Sequence, residues 1–142
     1  DNGPIDTALR EAQEETGLEP SGEVPVAALP QMWLPASGFV VAPVLGWWRE
    51  PSPISAMDPA EVADVHRVAI SDLVAPANRV KVSHPSGYIG AGFEVDGMLV
   101  WGFTGLLLDR LFALAGWELP WEDTARTVPF DDGWRAPPGQ GR

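Results

Sequence analysis

The sequence predicts an α+β fold. Three observations carry that class. A helix-period segment lies near the start, several strand-like runs occupy the middle, and a largely apolar helical run follows them. Their order lacks the alternating strand–helix–strand rhythm of a parallel sheet. At 142 residues the chain fits one ordinary domain.

The elements follow from local signals. Asn2-Gly3-Pro4 marks a turn, and Asp6 suits an N-cap or a first-turn acid. Ile5, Ala8, Leu9 and Ala12 recur at helical spacing, and Gly17 stands where a glycine stops a helix, so a helix is predicted over 5–16. Strands are predicted over 23–29 and 39–48, with Pro30, Pro35 and Gly38 in the loop between them. The second run is apolar almost throughout, the pattern of a strand covered on both faces, with Pro43 marking a bulge or an edge. Pro51, Pro53 and Pro59 make 50–59 a loop.

A strand is predicted over 61–70, then a short helix from Ser71 that Pro76 stops, and a strand over 79–83. Asp96-Gly97 between apolar runs predicts a hairpin, since this pair suits a type I′ turn. A helix over 103–115, stopped by Gly116, carries only Asp109 and Arg110 as charges and is expected to be largely buried. From Trp117 onward prolines recur without periodicity, and 136–142 is expected to be disordered. No internal repeat is present.

Composition narrows the function. Twenty acidic residues against nine basic ones give a net charge of −11, which disfavours nucleic acid as a partner because phosphate binding needs a basic stripe. The lack of cysteine excludes a disulfide scaffold, a zinc–thiolate site and a cysteine nucleophile. No apolar run reaches the roughly 20 residues of a bilayer span. A cytoplasmic protein acting on a small molecule, without membrane or nucleic-acid partners, is the expectation.

The chemistry concentrates in Arg10-Glu11-Ala12-Gln13-Glu14-Glu15-Thr16-Gly17-Leu18. Glu11, Glu14 and Glu15 are related by three and four positions, so three carboxylates share one side of a helix, costing about 0.2–0.5 kcal/mol per like-charged pair. Glu14 and Glu15 also fall in the last turn, where the helix dipole favours cations. A solvated acidic face is one reading. The other is that a hard divalent cation, Mg²⁺ or Mn²⁺, offsets the repulsion. Arg10 could orient one carboxylate.

The string Arg10-Glu11-x-x-Glu14-Glu15-x-Gly17-Leu18 resembles the C-terminal half of the Nudix box, G-x5-E-x7-R-E-U-x-E-E-x-G-U with U aliphatic. The upstream glutamate position of that spacing holds Asn2, and the preceding glycines are not in the chain. The coenzyme A pyrophosphatase branch carries Gly-Gly-x-x-Asp-x-x-Asp and one extra residue, a register that gives Asp1 the second acid. Further segments resemble the same branch: Thr7 to Ala12, Leu29-Pro30, Ser37 to Val44, Pro59-Ala60-Glu61-Val62, and Val100 to Gly105.

This resemblance implies a Nudix α/β/α sandwich, a mixed sheet between the catalytic helix and a C-terminal helix, with its first strands missing. It implies a domain over 1–116 and a Pro-rich extension over 117–142. The implied reaction is metal-dependent hydrolysis of a diphosphate, coenzyme A or acyl-CoA giving 3′,5′-ADP and (acyl-)4′-phosphopantetheine. Glu11, Glu14 and Glu15 are the implied metal ligands for Mg²⁺ or Mn²⁺. Arg10 orients a carboxylate, and Glu11 or Glu61 takes the proton. Another nucleotide substrate such as ADP-ribose, or a catalytically incompetent binding form, are the alternatives.

Other candidates have blander readings. His66 reads as a surface histidine in a strand, and His84, in a loop, as structural rather than phosphate-binding. Trp47, Trp48 and Trp101 read as core or near-core. Trp33 follows a strand, where it buries loop surface or stacks on an adenine. Gly87, Gly90 and Gly92 do not form a dinucleotide fingerprint, and no Gly-x-Ser-x-Gly or phosphate-loop motif is present.

Overall fold

The computed structural model describes residues 2–34, 38–58, 60 and 65–130. It is an α+β structure whose chain divides into two compact units, residues 1–65 and 66–142.

In the first unit, helix α1 (Pro4–Thr16) leads into strands β1 (Glu23–Ala28), β2 (Met32–Leu34), β3 (Phe39–Val41) and β4 (Val44–Trp48). β1 pairs antiparallel with β4, with a register shift between Pro25 and Ala27, and β2 pairs antiparallel with β3. α1 packs against β1 and β4. The run predicted as one strand over 39–48 is broken at Ala42-Pro43. Proline has no N–H to continue the ladder, and the Pro43 carbonyl instead accepts from the Leu29 amide at 2.8 Å. Coverage on both faces is also corrected. Two-stranded sheets have a helix to hide only part of their surface, and Phe39 remains 70% exposed and Trp47 66%.

In the second unit, the short helix α2 (Ile70–Val74) precedes β5 (Arg79–Ser83), β6 (Ile89–Val95), β7 (Met98–Val100), α3 (Gly102–Ala115) and β8 (Arg126–Pro129). The sheet order is β7-β6-β5-β8, antiparallel except for the parallel β5–β8 pair. The predicted hairpin forms, with Asp96 and Gly97 at φ 51° and 71°, the two positive values a type I′ turn needs. α3 lies on β6, where Phe93 and Phe112 meet edge to face at 5.9 Å between centroids. Leu73, Val74, Val95 and Met98 complete that core.

Three expectations change here. Of the strand predicted over 61–70, residues 61–64 lie outside the described residues, and 65–69 form no strand. Val62, Val65 and Val68 recur every third position rather than every second, which is not a strand period. Val68 packs from the loop onto the core. α3 buries only Gly105 and Phe112, because one side of it alone meets the sheet, and Leu114 is 85% exposed. Prolines hid β8, a short strand at the sheet edge, and Trp121 just before it is buried. The expected disorder of 136–142 lies outside the described residues.

Candidate functional site

α1 carries the acidic cluster. Its start is fixed by Pro4 at the first helical position and by Asp6, whose carboxylate accepts from the Asn2 amide at 3.1 Å. Its end is fixed by Gly17 in the left-handed region at φ 74°, whose N–H donates to the Gln13 carbonyl at 2.9 Å. The two terminal carbonyls are also satisfied: Glu15 accepts from the Met57 amide at 2.8 Å and Thr16 from the Ser55 amide at 2.9 Å. These backbone donors lie where the helix dipole is negative. They support a last turn that has two glutamates and no basic residue.

The three carboxylates do not share one environment. Glu11 and Glu14 are exposed, and Arg10 reaches both, at 3.9 Å from Glu11 and 3.0 Å from Glu14. Glu15 is half-buried, on the side of α1 that also carries the half-buried Ala8 and Ala12. For a hard cation the donor chemistry fits, since the cluster is carboxylate oxygen throughout, with neither sulfur nor imidazole. Among the described residues no three His, Asp or Glu side chains converge into a group that could hold an ion.

The remaining candidates separate. Glu61 and Asp1 lie outside the described residues. His66 is exposed and outside any strand, a correction to its predicted setting. His84 stacks on Phe130 with ring centroids 5.2 Å apart and planes 12° from parallel, and its Nδ1 lies 2.9 Å from the Ser86 hydroxyl and accepts the Ser86 amide at 3.1 Å. Trp33 lies in a strand rather than a loop. It stands on β2 opposite Val40, 65% exposed. Trp101 is half-buried and tilts against Phe130 at 4.6 Å.

A cluster that sequence reasoning missed surrounds Arg79, which is 1% exposed. Its guanidinium lies between the Phe93 ring at 4.3 Å and the Trp121 ring at 3.9 Å. It donates to Asp109 at 2.5 Å, and Glu118 stands 3.8 Å away while accepting the Trp121 indole N–H at 3.0 Å. Among the described residues, Nε and Nη1 of Arg79 have no hydrogen-bond acceptor. One signal pointed to it: Asp109 is a carboxylate inside an apolar helix, a placement that calls for a buried cation.

No described helix is long and apolar enough to cross a membrane. Compared with models of known protein families, the chain matches none.

Proposed function

We propose that this chain is a metal-dependent diphosphate hydrolase of the Nudix type, acting on coenzyme A or acyl-CoA, with the α/β/α sandwich of that family. The observation that carries the reading is α1. The arginine and all three glutamates of the motif lie on one continuous helix, and Gly17 ends it in the left-handed conformation at the motif's glycine. That spacing and that stop serve a helix built to present carboxylates.

In this reading Glu11, Glu14 and Glu15 hold Mg²⁺ or Mn²⁺. When bound, the ion polarises the phosphoryl oxygens and lowers the pKa of a water molecule. Arg10 holds the Glu14 carboxylate in place through their 3.0 Å ion pair until ligand arrives. Glu11 and Glu61 are the two carboxylates proposed to take the proton from the attacking water. Separate Gln substitutions distinguish them.

The test is incubation with coenzyme A and Mg²⁺ or Mn²⁺, with products separated by chromatography. 3′,5′-ADP and 4′-phosphopantetheine are the expected products. Glu15→Gln should reduce turnover by at least a hundredfold with helix content unchanged by circular dichroism. Full activity in that variant removes Glu15 from the site and the reading with it. Cleavage of ADP-ribose with coenzyme A untouched keeps the hydrolase and replaces its substrate.

A further inference from the structure

The second unit carries a segment that is fastened differently from its core. After α3, Gly116 turns the chain at φ 74°, and residues 117–120 and 122–124 are exposed. Trp121 alone between Gly116 and Thr124 is buried, and what it covers is the Arg79 guanidinium. Beyond it, β8 adds four residues to the open edge of β5, and the Phe130 amide donates to the Ser83 carbonyl at 2.7 Å. Arg126 meets Glu94 at 2.7 Å on the surface. Val128 and Phe130 lie half-buried against Val80, Val82 and Leu99, while the cluster around Phe93 and Phe112 is assembled without any residue of this segment.

We propose that residues 118–130 form a strap that opens and closes on the second unit without unfolding it, with Arg79 as its catch. Closing the strap removes the Trp121 rings from water and sets them on the cation, which favours the closed state. Closing also seals Nε and Nη1 of Arg79 from water with no acceptor for either among the described residues, and Glu118 stands too far for a hydrogen bond at 3.8 Å. That desolvation opposes closure by a term of comparable size. Opening returns both donors to water and leaves the Arg79–Asp109 pair intact. The strap is held besides by only the four-residue β5–β8 ladder and the half-buried Val128 and Phe130, so this opposing term makes it the low-stability element of its unit. When open, it uncovers a guanidinium backed by an aromatic face.

Hydrogen exchange on the full chain, read by mass spectrometry in urea below the unfolding range, tests this. The β8 amides should exchange at least tenfold faster than those of 93–95 and 98–100, with a weaker urea dependence. Trp121→Ala should raise β8 exchange a further tenfold and leave 93–95 and 98–100 unchanged. Glu118→Gln should raise it about threefold, because the neutral amide no longer attracts Arg79 and accepts the indole N–H less strongly than the carboxylate. Wild-type β8 and β6 amides opening together would overturn the proposal. So would a Trp121→Ala variant that unfolds the unit as a whole or leaves β8 unchanged.

Discussion

Residues 1–65 and 66–142 each set a helix against antiparallel strands, and they differ in what those elements bury. Every buried apolar side chain among the described residues belongs to the second unit, from Leu73 to Trp121. In the first, the one buried residue described is Gly22, and Val26, Trp33, Phe39, Val40 and Trp47 are exposed. Charge divides as unevenly. The first unit holds eleven acidic residues and two arginines, the second nine acidic and seven basic. Yet residues 24–48 of the first contain no charged residue. Apolar composition alone does not make a core. Two sheets of two strands have little surface to close on each other, whereas four strands with a helix across them do.

The sharpest way to break this comparison is truncation of an aromatic in each unit. Phe112→Ala removes the ring that meets Phe93 in the core and should cost about 3–5 kcal/mol in urea unfolding. Trp47→Ala, a larger truncation, should stay within about 0.5 kcal/mol because the ring is already in water. Equal costs would mean that the first unit has a core of its own.

Ion pairs give the next contrast. Asp109→Asn leaves the Arg79 guanidinium buried without its nearest counter-charge and should cost about 3 kcal/mol. Glu11→Gln weakens a 3.9 Å exposed contact with Arg10 and relieves repulsion from its neighbouring glutamates, so its unfolding midpoint should not fall. A loss of stability in Glu11→Gln would show that α1 uses its carboxylates structurally, against the hydrolase reading.

What the sequence made legible follows the same divide. α1, the Asp96-Gly97 hairpin, β5 and α3 were readable because each has a local signal: helical spacing with a glycine stop, a turn pair, or a short alternating run between turns. β2 and β8 have three and four residues, too few for a period to register, and β8 pairs with β5, a strand distant in sequence. The acidic cluster was visible as a string, but its division into exposed Glu11 and Glu14 and half-buried Glu15 depends on which side of α1 meets β1 and β4. Asp109 signalled a buried cation without saying which one, because β5 reads as an alternating strand, and a cation at its first position looks like a surface residue until Trp121 is placed over it.

The two helix stops offer a finer comparison, since Gly17 and Gly116 both have φ 74°. An alanine in that region strains the backbone by about 1–2 kcal/mol. A Cβ at Gly116 would meet nothing within 4 Å, so Gly116→Ala should show that cost alone. At Gly17 a Cβ would approach the Met57 side chain at 3.4 Å, an ordinary contact that adds no further penalty. The strain should therefore be alike at the two sites, but its consequence should differ. In the second unit the helix is held by its core, and thermal unfolding should simply begin lower. In the first, the last turn of α1 rests on Gly17, Ser55 and Met57 for its carbonyl partners, so Gly17→Ala should fray the turn that carries Glu14 and Glu15. Amide exchange at 14–18 would rise several-fold while the midpoint of the second unit stays in place. A Gly17→Ala variant with an unaltered last turn would mean that the loop amides alone hold the helix end.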